Sequence, residues 1–303
     1  MKIFYSDEFD FPLPRGHHFP LKKFRLLREA VERAAIVPPE NLIVPPPVTD
    51  EQVLRAHSPD YLNRVVTGQL SKKELRRIGL PWSPELVERV RYSAGGTVAA
   101  CRAALVDGVS VNLAGGTHHA YRDRGQGYCL FNDIIIAART MQAEDRAQRV
   151  VVLDCDVHQG NGTAALAADD PTIFTFSIHN QQNFPLQKEA SDLDIGLDDG
   201  TGDEEYLAAL EEGIPHALAA ADADLAIYLA GADPHEKDLL GRFKLTKEGL
   251  ATRDRMVFSA CREMSLPIAV TIAGGYGSRI RNTVDIHLQT VYIALETAQA
   301  WRE

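Results

Sequence analysis

Cysteine is scarce: Cys101, Cys129, Cys155 and Cys261 are the four in 303 residues. None forms a C-x-x-C pair, and the density is far below that of a disulfide-stapled secreted domain, so neither a thiolate zinc site nor a staple framework is indicated. Cys155 borders an apolar run and reads as a small core residue. Long apolar runs are missing as well. Nothing reaches the roughly 20 residues that a membrane helix needs, and Met1 to Glu8 lack the apolar stretch of a signal peptide. The expectation is a cytoplasmic protein with no membrane partner. Basic charge is in deficit, with 32 Lys and Arg against 42 Asp and Glu and a net charge of -10. A duplex-binding protein needs a basic face to neutralise phosphates, so nucleic acid is not an expected partner. The one basic cluster, Lys72, Lys73, Arg76 and Arg77, has the spacing of a solvated helix face. Over the whole surface, the acidic balance favours cationic substrates. Repeats, low-complexity tracts and long linkers are also absent. Residues 1–303 therefore read as a single domain, long for one but within the reach of α/β folds. The oligomeric state is left open.

What is present is a succession of short apolar runs, most of them followed by a helical pattern. Phe24, Leu27, Val31 and Ala34 recur at helical spacing. After the Pro-rich piece Val44 to Val48, Thr49 with Gln52 reads as a capping box. Ser83 followed by Pro84 opens a long helix towards Val106. The runs Val109–Leu113, Val150–Leu153, Thr172–Phe176, Leu225–Leu229 and Ile268–Ile272 are mostly apolar on consecutive positions. That is the pattern of strands buried on both faces. Repeated strand–helix units predict an α/β fold, a mostly parallel sheet with helices on both sides. In such sheets ligands bind beyond the carboxyl ends of the strands.

The polar residues collect where that rule puts a site. One run ends in Ala114-Gly115-Gly116-Thr117-His118-His119 and another in Asp154-Cys155-Asp156-Val157-His158-Gln159-Gly160-Asn161-Gly162. A third ends in Ala230-Gly231-Ala232-Asp233 and the last in Ala273-Gly274-Gly275-Tyr276-Gly277. Ser177-Ile178-His179-Asn180 is a weaker cluster after Phe176. Alternate residues of an extended segment point the same way, so Asp154, Asp156 and His158 share a side. Carboxylates that close repel unless a cation or proton lies between them, and Zn²⁺ takes mixed carboxylate and imidazole ligands. The bland alternative is a helix cap with a surface histidine; two glycines after His158 argue for close backbone approach instead. Asp233 alone reads as a helix N-cap and becomes a third ligand only beside the other cluster. His118 and His119 can both line a pocket if the glycines turn the loop, the alternative being two exposed loop histidines. Tyr276 between glycines suits a mobile hydrogen-bond donor, the alternative being a core aromatic. His17-His18 offers nothing beyond an exposed pair.

These residues together resemble the histone deacetylase family, of the arginase-deacetylase fold, over about Gly95 to Tyr276. The likeness is to the class IV branch. It is carried by Asp123-Arg124-Gly125-Gln126-Gly127-Tyr128-Cys129, His158-Gln159-Gly160-Asn161-Gly162, Asp238-Leu239-Leu240-Gly241 and Gly274-Gly275-Tyr276. The resemblance implies a zinc-dependent amidohydrolase acting on an acylated lysine or a related acylated amine, with Asp156, His158 and Asp233 on the metal. It makes His118 and His119 the tandem catalytic histidines, Asp154 the partner of His118, Asn161 that of His119, and Tyr276 the donor to the substrate carbonyl. Gly127, Tyr128 and Phe184 would wall a channel with Leu240 near its mouth, and a structural potassium would use Asp154 and Ser177. Two carboxylate ligands offset much of a zinc ion's charge, so a separate base is implied, namely His119. The chain departs from the pattern twice. Gln159 and Asn161 stand where well-known class I members have His and Asp, so an amide faces His119 and should leave it neutral, as a base must be. The acidic residue of many channel rims has no counterpart near Leu80-Pro81-Trp82. A two-metal manganese ureohydrolase of the same fold would want carboxylates where Gly160 and His235 stand. A non-catalytic binding protein is the remaining alternative.

Overall fold

All five apolar runs are strands in the structure, a computed structural model that describes residues 1–301. They are β3 (Val109–Asn112), β4 (Val150–Asp154), β5 (Ile173–Asn180), β7 (Leu225–Leu229) and β8 (Ile268–Thr271). Every residue of β3, β4, β7 and β8 is buried. Three further strands, β1 (Lys2–Phe4), β2 (Leu42–Ile43) and β6 (Leu193–Leu197), lie towards the edges. They are short, and β6 alternates half-buried with exposed residues. One run ends later than its composition suggests. β5 continues to Asn180, so Ser177 to Asn180 lie inside a strand that pairs with β6, not in a loop beyond it.

The eight strands form one all-parallel sheet in the order β2-β1-β3-β8-β7-β4-β5-β6. The strands with strong polar clusters after them are thus four consecutive neighbours. They also end level, since Asn112 pairs with Thr271, Thr271 with Leu229 and Leu229 with Asp154. Four loops therefore leave the sheet side by side at one height, and their side chains meet.

The helices are α1 (Lys22–Arg33), α2 (Asp50–Leu54), α3 (Pro59–Val66), α4 (Lys72–Ile78), α5 (Pro84–Asp107), α6 (Asp133–Ala143), α7 (Asn161–Ala167), α8 (Asp203–Ala221), α9 (Lys247–Glu263) and α10 (Ile280–Ala300). Alternation along β4 explains the two layers. Val151 and Leu153 pack with Leu27 of α1, Leu210 of α8, Val257 of α9 and Val291 of α10. Val150 and Val152 pack on the other face with Val98 of α5 and Ile135 of α6. The capping signals hold. Thr49 and Gln52 form both bonds of a capping box on α2, and the Ser83 side chain accepts from Leu86 N at the start of α5. Lys72, Lys73, Arg76 and Arg77 are exposed on α4, and Cys155 is fully buried. No helix among the described residues is long and apolar enough to cross a membrane.

Candidate active site

β4 ends at Asp154, and the loop after it folds back on its own carboxylates. Asp154 Oδ1 accepts from Asp156 N at 3.1 Å, and Asp156 Oδ1 from His158 N at 3.0 Å. These Asx turns aim Asp156 and His158 at Asp233 in the loop after β7. One donor atom from each of the three lies within 4.8 Å of the others, and all three are buried. His158 Nδ1 stands 3.0 Å from Asp156 Oδ1 and 3.3 Å from Asp233 Oδ2. Burial opposes charge on His158, yet its hydrogen bond to Asp156 and the nearby carboxylate of Asp233 raise its pKa to about 10. Burial, then the charge of Asp156, pushes Asp233 up to about 7. A proton held between an imidazole and two carboxylates is what a divalent cation displaces. The donor set fits one: Asp233 Oδ2 has no hydrogen-bond partner though buried, while Asp233 Oδ1 is held by Val157 N and Asp156 Oδ2 by Gly274 N. Gly274 must be glycine, because a Cβ there would lie 1.8 Å from Asp233 Oδ2.

The loop after β3 supplies the paired histidines, both buried. Their rings lie 4.1 Å apart, and His119 is 5.9 Å from His158. His118 Nδ1 meets Asp154 Oδ2 at 2.7 Å. Burial alone would lower His118, but Asp154 and then Asp156 hold it up at about 9. His119 goes the other way: burial and the charges of His118 and His158 drive it well below the ordinary histidine value. Its partner is Asn161, with Oδ1 at 2.8 Å from His119 Nδ1. The amide orientation follows from the next two bonds. Asn161 Nδ2 donates to Tyr121 Oη at 2.9 Å, and Tyr121 Oη donates its one proton to Glu189 Oε1 at 3.0 Å. Asn161 Oδ1 is thereby left for His119, which must donate from Nδ1 and keep its Nε2 lone pair free.

Gly127, Tyr128, Phe184, Leu240 and Tyr276 line one cavity of about 310 Å³ together with His119 and His158. Phe184 stands edge-on to His119, with ring centroids 4.8 Å apart, and Tyr128 lies 5.9 Å from Tyr276. Tyr128 has φ +66°, a region costly for a bulky residue, and a Cβ on Gly127 would lie 2.6 Å from His119 Cδ2. The wall is thus pressed against His119. Burial and the charges of Asp156 and Asp233 keep the Tyr276 phenol protonated. Its loop is tied rather than loose, since Tyr276 N donates to Asp238 Oδ2 at 2.6 Å. The flanking glycines serve close approach. His17, read from sequence as one of an exposed pair, accepts from Phe19 N and bonds Gly79 O beside the channel.

A sequence profile of the histone deacetylase domain matches residues 17–291. The chain belongs to the histone deacetylase family. The match reaches further at both ends than the segments from Gly95 to Tyr276. An uncharacterised protein of Picosynechococcus sp. is 43% identical over 94% of this chain and 95% of its own length. The histone deacetylase-like amidohydrolase of Pseudomonas aeruginosa is 29% identical over 88% of this chain and 74% of its own. The crystal structure of an HDAC homologue from Aquifex aeolicus has the same fold, with a TM-score of 0.83 at 22% identity over 98% of this chain and 84% of that one.

Two buried charges beside the site, Asp133 and Arg253, escaped the sequence reading, and the half-buried Asp238 was read there only as part of a motif, without its role as an acceptor. Asp133, at the start of α6, accepts from Gly116 N at 3.1 Å and Thr117 N at 2.7 Å, which fixes the loop entering His118. Asp238 accepts from Leu240 N and Gly241 N as well as from Tyr276 N. Arg253, fully buried in α9, donates to Cys155 O at 3.2 Å and Gly231 O at 2.6 Å and pairs with Asp254. It holds the two loops that carry the metal-site side chains. Arg253 and Asp254 were findable, because they fall on the apolar stripe Leu250, Val257, Phe258 and Cys261.

Proposed function

We propose that this family member is a zinc-dependent deacylase that hydrolyses the side-chain amide of acyl-lysine. The observation that carries the reading is the convergence of Asp156, His158 and Asp233, one oxygen still unpartnered, with His118, His119 and Tyr276 at the base of a walled channel. Zinc held by those three residues would polarise the amide carbonyl and acidify the attacking water. Tyr276 donates its hydroxyl to the carbonyl oxygen as negative charge develops there. His119 Nε2 takes a proton from water as the oxygen attacks, then returns it to the amine as the C–N bond breaks. His118, charged beside Asp154, lends positive charge to the same oxygen. A structural potassium would use Asp154 and Ser177, which face each other as register partners in β4 and β5, with backbone carbonyls around Asp156, His158 and Ile178. The name of the Pseudomonas relative supports amide hydrolysis. Among the described residues one group of metal-ligating side chains is found, which favours a single metal over a two-metal ureohydrolase.

Acyl length would be set by an inner cavity of about 70 Å³ beside Tyr276, lined by Phe11, Phe19, Phe24 and Leu86 together with the buried cations Lys23 and Arg89. The aromatic side of this cavity, with the class IV likeness, supports acyl groups longer than acetyl. The deciding experiment is hydrolysis of acyl-lysine peptides over a ladder of acyl lengths, beside acetylpolyamines, with and without chelator and in Asp233→Ala. Chelator-sensitive cleavage that Asp233→Ala abolishes is expected, along with loss of metal from the variant. Cleavage indifferent to both sinks the reading.

A further inference from the structure

Whole-chain charge favours cationic substrates, but the channel mouth has the opposite sign. Apart from imidazoles, Arg77 is the one charged residue lining that cavity among the described residues. It ends a run of exposed cations on α4 with Lys72, Lys73 and Arg76. None of these four side chains has an ion pair or hydrogen bond among the described residues. The single acid of α4, Glu74, is taken up by Arg64 and Ser71. This end of α4 is fastened to the channel wall, since Gly127 N donates to Arg77 O at 3.1 Å and Tyr128 N to Ile78 O at 2.7 Å. Acids on the other loops near the mouth are matched or turned inward. Asp238 spends its oxygens on three backbone N–H groups, Asp123 pairs with Arg124 at 3.1 Å, and Glu189 accepts from Tyr121.

We propose that Arg77 and the basic face of α4 form a subsite for carboxylates, so that the protein selects acyl-lysine flanked by acidic residues. The inference rests on the deacylase reading above. The reacting amide lies at the channel base, so the main chain and neighbours of an acyl-lysine rest at the mouth. An aspartate or glutamate there meets an unpaired guanidinium, whereas a lysine-rich tail or an acetylpolyamine brings like charge to it. An exposed ion pair contributes at most about fivefold, and it is screened once the Debye length falls to about 3 Å near 1 M salt.

The test is kcat/KM for two acyl-lysine peptides identical except for Asp or Lys on either side of the acyl-lysine, with fluorescein-labelled copies for binding by anisotropy. The wild-type protein is expected to prefer the Asp-flanked peptide by about fivefold at low salt. That preference should vanish at 1 M salt and in Arg77→Ala, and reverse in Arg77→Glu. Binding alone reads the preference even without turnover, so binding selectivity with no cleavage removes the deacylase reading and leaves the subsite standing. Equal binding and cleavage of both peptides, or a preference that survives Arg77→Glu, overturns the subsite.

Discussion

Asn161→Asp isolates the effect of an amide facing His119, the proposed base. It replaces the oxygen 2.8 Å from His119 Nδ1 with part of a carboxylate and changes little else in size. In the wild-type protein nothing ionised is hydrogen-bonded to His119, and burial beside charged His118 holds it well below the usual range. A hydrogen bond to a charged group is worth about 1.5–3 kcal/mol in mutational series, and one pKa unit is about 1.4 kcal/mol. The expected rise for His119 is therefore about one to two units. Tyr121 trims that rise, because the variant offers it no donor and leaves its one proton shared between two carboxylates, Glu189 and the new one. The sign follows from the role. A base works deprotonated, so raising its pKa moves the acidic limb of the rate profile to higher pH and slows the reaction below it. The assay is kcat/KM for one acyl-lysine peptide across pH 5 to 9. We expect the acidic limb to move up by one to two units while the alkaline limb stays. A limb that does not move removes His119 from the role of base, or removes Asn161 from its control.

Two further perturbations test the scaffold. His57 is buried, its Nδ1 bonded to Tyr121 O and its Nε2 accepting from Asn132 N, and burial lowers its pKa to about 4 from an ordinary 6.5. The unfolded chain binds the proton first. The stability His57 contributes is thus complete above pH 6.5 and is lost as pH falls towards 4, by about 2 kcal/mol at pH 5; urea midpoints at pH 7 and pH 5 should converge by that amount in His57→Gln. Arg253→Met leaves Asp254 charged and buried, with Tyr228 and Thr290 as its remaining donors. Breaking such a pair costs about 3–5 kcal/mol, and metal content should fall with it because the loops at Cys155 and Gly231 lose their common donor; unchanged melting and full metal occupancy would falsify the positioning role.

The centre of this fold was legible because it obeys one rule strictly. Strands buried on both faces carry unbroken apolar runs, so β3, β4, β7 and β8 announce themselves and the polar residues just beyond them stand out. β1 and β2 have three and two residues, too few to show a period, and β6 owes its place to pairing with β5. The convergence of Asp156, His158 and Asp233 was legible for the same reason as the central strands. The support from Asp133 was not, since it looks like an ordinary cap residue until the backbone N–H groups it accepts from are brought near. The Tyr121–Glu189 pair is separated by 68 positions, and no local pattern couples them.

Charge shows the same division between sum and place. Behind a net -10 stand many exposed acids already paired with neighbouring arginines, as on α1, where Arg28 meets Glu32, and on α3, where Arg64 meets Asp60. Such pairs screen one another within a Debye length of about 8 Å at physiological salt. A substrate at the mouth therefore senses the nearest unpaired charge far more than the total. Composition supplies the total, and only the packing of α4 against Gly127 and Tyr128 shows that the nearest unpaired charge is a cation. The net charge of the chain and the charge at the channel mouth thus differ in sign, and the distance over which charge acts in salt water lets the mouth decide.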